Sequence, residues 1–387
     1  MKTIGYISHY NPFTDRKAWS GTIYKIREGI EYAGFKVIWI PVKPNKIKVK
    51  ILKIIIKILF GKNAITVQNK YYNKLCAQSI DLNKINNCDY LFFPGEAQIS
   101  SFLKNTKPII YYTDATFHQM LNYYWYNQPQ WIIKQGETEE RKAIQNSFIN
   151  IRSSKWASDS VVTDYNGNPN RNFTLEFGAN LDDKDIKQSK PYKKGDTLNI
   201  LFSGVDWERK GGDIAVKTVQ LLIQKGIQAK LFIVGISQLP DRYKNISFIK
   251  NIGFLNKNIP SQYQQYIEII SNAHLFLLPT KAECSAIVLC EASAFGLPIF
   301  TYNTGGLGSY VIDGINGYKL PIESGELEFT DKIIYCIKNK ELEKLHNGGI
   351  SLYKTTFNWR IWAKKFKFII SECELNSHRS NIQEKNR

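Results

Sequence analysis

The chain has 387 residues, an apolar share of 43% and a formal net charge of +18. That length exceeds what one hydrophobic core usually supports, so two domains with full α/β cores are expected, and no apolar run reaches the roughly 20 residues that span a bilayer. Six cysteines (Cys76, Cys88, Cys284, Cys290, Cys336, Cys373) are scattered without CxxC or histidine-spaced pairs, which excludes a zinc ribbon or a disulfide frame and fits reduced thiols of a cytosolic protein.

The positive balance suggests an anionic partner: membrane lipid, nucleotide or nucleic acid. A composition rich in Lys, Asn and Ile gives a solvated basic surface as readily. Met1-Lys2 leads straight into a strand, so a signal peptide is not expected.

Residues 3–8 (TIGYIS) read as a buried strand, followed by the loop HYNPFTDRKAWSGT and a helix from Thr22 to Ala33 that Gly34 closes. Strand, glycine-bearing loop and helix open a Rossmann-like domain, although GxGxxG is absent and Gly21 alone permits a turn. After a second strand, KVIWIPV, comes the most basic stretch, KPNKIKVKILKIIIKILFGKN. Lys46, Lys50, Lys53 and Lys57 follow helical steps along one face, and Ile47, Ile51, Ile54, Ile55 and Ile58 line another. A cationic amphipathic helix of this kind lies on an anionic membrane. The alternative is a surface helix packed through its isoleucines.

A helix is predicted around Gln68 to Ile85, with strands at Tyr90–Phe93 and Pro108–Thr113. The second strand runs into TDATFHQML, which puts Asp114 and His118 at a strand's carboxyl edge, where open α/β sheets bind ligands. The aromatic run Tyr123–Trp131 fits core packing better than an acceptor wall. Strands at Ser160–Thr163 and Phe173–Glu176 close the first domain, and the polar stretch Asn180–Gly195 reads as a linker.

The second domain opens with the strand LNILFSG, the loop VDWERKGGD and a helix to about Lys225. Arg209 and Lys210 precede Gly211-Gly212, so two cations and helix N–H groups face one crevice. Fixed cations there suit a diphosphate leaving group, whose growing negative charge they stabilise. AKLFIVG is a strand ending at Gly235, and strand, loop and helix follow before Leu275.

The run LFLLPTKAECSAIVLCEASAFGLPIFTY (275–302) is where the chemistry concentrates. Two strands buried on both faces flank a loop carrying Glu283 and a helix carrying Glu291. Ser285 is placed to cap that helix and Gly296 to end it. Backbone N–H groups around Ala286 and Ile287, at a strand's carboxyl end, suit a diphosphate. Carboxylates on either side would then accept hydrogen bonds from a ribose and a sugar. The aromatic amphipathic helix FNWRIWAKKFKFII comes last, before a polar tail from Glu374 expected to fray.

With seven residues between Glu283 and Glu291, ECSAIVLCEASAFGLPIF resembles the glutamate-pair motif of the retaining family-4 (group 1) glycosyltransferases. The resemblance implies that Glu283 touches the donor sugar, Ala286 and Ile287 the diphosphate with Ser285 beside them, and Glu291 the nucleotide ribose. The loop from Gly204 resembles the family's G-R-x(4)-K-G, with Lys210 on its lysine, Val205 at its arginine and Arg209 taken to substitute. Gly235 stands where the base is read. Ser20, Gly21 and Thr22 match a loop near donor phosphates and acceptor, and Thr113-Asp114 stands where relatives have His-Asp, with His118 further along. NTGGLGSY resembles GG-x-P-E, with Gly308 and Ser309 in place of Pro-Glu.

The implied architecture is GT-B: two Rossmann-like domains facing each other across a cleft, 1–180 on the acceptor side and 196–355 on the nucleotide-sugar side. A crossover helix at 356–373 returns to the first domain, and 374–387 is the tail. The implied reaction moves a sugar from a UDP- or GDP-linked donor to an acceptor hydroxyl with retention, in bacterial surface polysaccharide or glycolipid biosynthesis, with no cofactor and no catalytic metal. Relatives acting on lipid-linked acceptors are similar around the basic helix, which places the protein in the cytoplasm, peripheral on the inner face of the cell membrane. A phosphorylase-like or epimerase-like enzyme is disfavoured by the glutamate pair. A non-catalytic accessory subunit or nucleotide-sugar-binding protein draws on Val205, Thr113 and Ser309, and a nucleic-acid binder lacks a recognised module.

Overall fold

The computed structural model describes residues 1–104 and 107–385, with side chains through Asn376. Its contacts divide the chain into one unit of Met1–Leu175 with the segment from Trp362 onward, and a second of Glu176–Ile361. Each is built around a six-stranded, fully parallel sheet.

In the first unit the strands are β1 (Thr3–Ser8), β2 (Lys36–Pro41), β3 (Tyr90–Pro94), β4 (Ile109–Thr113), β5 (Ile149–Arg152) and β6 (Asn172–Thr174), in the order β2-β1-β3-β4-β5-β6. Near-continuous runs such as YLFFP and IIYYT are buried along their whole length, as strands covered by helices on both faces must be. The helices are α1 (Thr22–Tyr32), α2 (Lys46–Phe60), α3 (Lys70–Ala77), α4 (Leu82–Asn86), α5 (Phe117–Met120), α6 (Gln130–Asn146) and α7 (Lys155–Thr163).

The second unit carries β7 (Leu198–Ser203), β8 (Ala229–Val234), β9 (Ile249–Gly253), β10 (Leu275–Leu278), β11 (Ile299–Tyr302) and β12 (Gly317–Leu320), in the order β12-β11-β10-β7-β8-β9. Counted from β7, this is the 3-2-1-4-5-6 order of a dinucleotide-binding sheet. Its helices are α8 (Gly212–Gln224), α9 (Pro260–Ser271), α10 (Ile287–Phe295), α11 (Glu326–Lys338) and α12 (Glu341–Thr355), and α13 (Trp359–Lys385) begins here and continues into the first unit. Within that first unit the indole of Trp362 donates to Tyr112 Oη at 3.1 Å and stacks on Phe366.

Several local expectations are corrected. Ser160–Thr163 is the end of α7, not a strand: Ser154 caps its first turn by accepting from the Ala157 N–H, and this outweighs the β-branched run Val161-Val162-Thr163. Gln68–Ile85 is broken into α3 and α4, because the Asp81 side chain accepts from the Asn83 N–H and starts a new helix. The expected strand at Phe173–Glu176 ends at Thr174. The stretch Asn180–Gly195 lies inside the second unit, where Ala179 and Leu181 belong to the core and Ser189 bonds to the Phe295 carbonyl. The tail beyond Glu374 continues α13 to Lys385, and its last two residues, 386–387, lie outside the described residues.

Each strand order reverses at one place, between β1 and β3 in the first unit and between β7 and β10 in the second. At such a switch point the crossover helices leave on opposite faces, and a crevice opens at the strands' carboxyl ends.

Candidate active site

At the β7/β10 switch point the chain is shaped by glycines that no other residue could replace without displacement. Gly235, at φ +100°, ends β8, and a Cβ there would come within 2.3 Å of the Gly204 carbonyl oxygen. Gly211, at φ +75°, is the residue before α8, and a Cβ would lie 2.0 Å from the Pro279 carbonyl oxygen. Left-handed backbone at Gly211 turns the 205–210 loop into the helix, and Trp207 anchors the loop by donating from its indole to Asp213 Oδ1 at 2.9 Å. Burial opposes ionisation of Asp213, but Arg242, Trp207 and Tyr243 outweigh it and hold its carboxyl below the ordinary value.

Two cations from this loop meet one carboxylate from the loop that follows β10. Lys210 Nζ is paired with Glu283 Oε2, and Arg209 Nη1 approaches the same oxygen at 3.5 Å while donating to the Ala282 carbonyl at 3.0 Å. The lysine ammonium and the Glu283 carboxylate are largely buried. Val205, by contrast, is 68% exposed, so Arg209 is the loop arginine that reaches the site.

Glu283 leads into α10, which begins at Ile287 with Ala286 as its N-cap. Ser285 does not cap it as expected: its hydroxyl donates to the Cys284 carbonyl at 2.8 Å, away from the first turn. Ala286 and Ile287 are buried at the helix start, whose first N–H groups have no intrahelical acceptor. Gly296 closes α10 at φ +74°.

Glu291, one turn into α10, is 1% exposed. Tyr266 of α9 donates to its Oε2 at 2.7 Å, and Lys257, from the loop before α9, is paired with its Oε1. Burial first, then the adjacent carboxylate, push the Tyr266 phenol well above its ordinary range, so it stays a donor. Neither Lys257 nor Tyr266 was legible as a site residue. Lys257 is one more lysine in a polar loop, and Tyr266 sits in an unexceptional amphipathic helix.

In the first unit Gly21 has φ +89° and precedes α1, and Trp19 and Ser20 before it are also left-handed, at φ +49° and +56°. Thr22 is fully buried in α1. Asp114 follows β4 and accepts from the Trp19 indole at 3.3 Å, a contact between residues 95 apart that no local pattern signals. His118 lies on the short α5, exposed, and bonds to Glu137 at 2.9 Å.

Helix α2 forms as the lysine spacing predicts, with Asn45 capping it. The five isoleucines of the predicted strip, however, do not pack. Val49, Leu52, Ile56 and Phe60 face the protein, whereas Ile47 and Ile58 are 70% and 76% exposed and Ile51, Ile54 and Ile55 are about half-exposed. Lys46, Lys50 and Lys57 are exposed on the flank of this apolar strip. Among the described residues no helix is long and apolar enough to cross a membrane.

Comparison with known proteins places this geometry. Residues 183–349 match the family model for group 1 glycosyl transferases. An uncharacterized glycosyltransferase of Methanocaldococcus jannaschii is 25% identical over 168 residues, 43% of this chain and 46% of that protein. The capsular polysaccharide biosynthesis glycosyltransferase CapM of Staphylococcus aureus is 22% identical over 55% of this chain and 59% of its own length. The chain thus spans about half the length of these curated relatives. Among solved structures, sucrose-phosphate synthase from Thermosynechococcus elongatus superposes with a TM-score of 0.67 at 15% identity, covering 97% of this chain and all of that one. Anabaena HepE in complex with UDP gives 0.61 at 14% identity, covering 96% of this chain and all of that one. The two Rossmann-like sheets are those of the GT-B fold.

Proposed function

We propose that this protein, whose residues 183–349 match the family model for group 1 glycosyl transferases, transfers a sugar from a nucleotide-sugar donor to an acceptor hydroxyl with retention of anomeric configuration. One observation carries the reading: Lys210 and Arg209 converge on Glu283 at a parallel-sheet switch point, beside the buried start of α10. A donor diphosphate competes for those cations. It takes Lys210 and Arg209 and the first N–H groups of α10, and so releases Glu283 to accept a hydrogen bond from the donor sugar. Glu291, one turn on, takes the ribose hydroxyls.

As the sugar–phosphate bond breaks, negative charge grows on the diphosphate, where two fixed cations and a helix N-terminus stabilise it. The leaving phosphate helps take the proton of the incoming hydroxyl on the same face, so the reading needs no separate base and invokes no catalytic metal or cofactor. UDP- and GDP-sugars are the donors favoured, UDP being the nucleotide bound in the structural neighbour HepE.

The first unit is assigned the acceptor. Helix α2 supports a membrane-anchored glycan or polyprenyl-linked acceptor: an outward strip of isoleucines flanked by lysines suits a peripheral protein on an anionic bilayer surface. The relative CapM, named for capsular polysaccharide biosynthesis, supports a role in building bacterial surface polysaccharide. The test is transfer of labelled sugar from UDP- and GDP-sugars to lipid extract by wild type and Glu283→Gln. Label transferred by wild type and lost in the variant supports the reading; equal transfer by both removes Glu283 from the chemistry.

A further inference from the structure

The second unit holds a buried-end cation to which the transferase reading gives no task. Lys257 belongs to the short turn between β9 and α9, at the same carboxyl edge of the sheet as Lys210, Gly235 and Glu283. The turn is pinned in place: the Asn256 N–H donates to Gln262 Oε1 at 2.7 Å, the Asn258 N–H to Asn256 Oδ1 at 3.0 Å, and the Ile259 N–H to the Asn256 carbonyl at 2.9 Å. From it the Lys257 side chain reaches α10, where its ammonium is paired with Glu291 Oε1 and lies 5.0 Å from the centre of the Tyr266 ring.

Glu291 and Tyr266 are enclosed, at 1% and 3% exposed, whereas the Lys257 side chain keeps 19% of its surface in solvent. Of the two groups on the Glu291 oxygens, Lys257 is therefore the one that a ligand can move aside, and a hydroxyl that reaches Oε1 comes to the place its ammonium holds. The exchange costs little. A lysine ammonium is a compact, strongly hydrated charge on a flexible stem, so on release it regains water, and a buried ion pair loses much of its attraction to desolvation. Ribose hydroxyls supply hydrogen-bond donors to the carboxylate in its stead. Lys257 and a ribose thus compete for one oxygen. At Glu283 the relation is the reverse, since there a diphosphate competes for the cations.

We infer that Lys257 is an internal competitor of the ribose: it holds nucleotide affinity below what Glu291 would otherwise give and, by reclaiming Oε1, speeds release of the spent nucleotide. This deepens the transferase reading and rests on its assignment of Glu291 to the ribose. Donor and product carry the same nucleoside, so the competition weakens both, and a product that leaves sooner frees the site for the next donor. A nucleotide without the 2′ and 3′ hydroxyls brings no donor for Glu291 and leaves the pair closed. Lys257 therefore acts only on ligands that carry the diol, which separates this role from plain charge compensation of a buried carboxylate.

The test uses the full chain as wild type, Lys257→Met and Lys257→Arg, with UDP, GDP and their 2′,3′-dideoxy counterparts, read by titration calorimetry and stopped-flow dissociation. Lys257→Met should bind the ribonucleotide at least about tenfold more tightly, the equivalent of roughly 1.4 kcal/mol, and release it more slowly, with dideoxynucleotide binding unchanged. Lys257→Arg keeps the ion pair and should gain no affinity. Acetylation of Lys257 in wild type, followed by mass spectrometry, needs no variant and decides alone should Lys257→Met not fold: the ribonucleotide should raise the rate as the ammonium is freed, and the dideoxynucleotide should not. Weaker or unchanged ribonucleotide binding in Lys257→Met overturns the inference, as does an equal change on both ligands or protection of Lys257 from acetylation by nucleotide. Nucleotide bound by wild type with no effect of Lys257 leaves the donor site standing without the competition. No nucleotide bound by any of the three proteins removes both.

Discussion

Lys257 is paired with Glu291 inside the second unit, its ammonium against Oε1 while Tyr266 donates to Oε2. Glu291 is thus satisfied at both oxygens, and a ribose bound there, as proposed, would take over the place of Lys257. Removing one partner of a buried pair typically costs about 3–5 kcal/mol, because the other charge is left without compensation. Glu291→Ala should therefore lower the melting temperature markedly and weaken nucleotide binding, while Glu291→Gln, which keeps a hydrogen-bond acceptor for Tyr266, should cost less. Calorimetry of the two variants checks the order, and equal melting temperatures would contradict the pairing.

Glu283 shares its carboxylate oxygen with two cations that a diphosphate would need. Its removal should act in opposite directions on binding and on chemistry. Glu283→Gln is expected to bind free nucleoside diphosphate as tightly as wild type or more tightly, since Lys210 and Arg209 are no longer held, yet to transfer sugar at least about 100-fold more slowly if the lost group stabilises the transition state by roughly 2.7 kcal/mol. Titration calorimetry with nucleotide, alongside turnover, reads both. Weaker nucleotide binding in the variant would show that Glu283 does not compete with the diphosphate.

Gly211 has no substitute. At φ +75° a side chain costs about 1–2 kcal/mol in backbone strain alone, and its Cβ would overlap the Pro279 carbonyl oxygen. Gly211→Ala should destabilise the second unit and displace Arg209 and Lys210, so both the melting temperature and nucleotide affinity fall. A variant with normal melting and normal affinity would mean that the 205–211 loop is free to move without consequence.

Asp213 gives the loop a pH dependence of known sign. Its folded carboxyl titrates below the unfolded value of about 3.9, so its contribution is full above that pH and is lost as pH falls through the lowered folded value. Wild type should exceed Asp213→Asn in melting temperature at pH 7, and the gap should close in strongly acidic solution. A gap that stays constant from neutral to acid pH would assign the effect to something other than the Trp207 and Arg242 contacts.

Helix α2 should hold the protein on anionic vesicles. Each lysine near such a surface contributes about 1 kcal/mol, so replacing Lys46, Lys50, Lys53 and Lys57 with glutamate should remove association with phosphatidylserine-containing liposomes. Ile47→Ser with Ile58→Ser should weaken association as well, without a large loss of stability, because both side chains are mostly exposed. Co-sedimentation unchanged in the lysine variant would remove the membrane from the account.

The sequence made the second unit more legible than the first. Buried runs such as LFLL and LNILFS announce strands covered on both faces, and the strand edges carrying Lys210 and Glu283 follow from them. What is local was readable: the left-handed Gly296 stop and the lysine spacing of α2. What depends on tertiary contact was not. Val161-Val162-Thr163 looks like a strand by β-propensity until Ser154 caps a helix over it. The strip Ile47, Ile51, Ile54, Ile55 and Ile58 reads equally as a packing face by pattern, yet Val49, Leu52, Ile56 and Phe60 pack instead, and an apolar stripe alone does not say which neighbour it meets. Lys257 gains meaning only through a partner 34 residues away.

The central claim, a donor site built on Lys210 and Glu283, is tested most directly by thermal unfolding of wild type and Lys210→Ala with UDP, GDP, ADP and CDP in turn. A nucleotide at about 100 times its dissociation constant adds roughly 2.7 kcal/mol of stability. The account predicts that one of them, UDP or GDP, raises the melting temperature of wild type and not of Lys210→Ala. Stabilisation by none of the four, or equal stabilisation of both proteins, would contradict it.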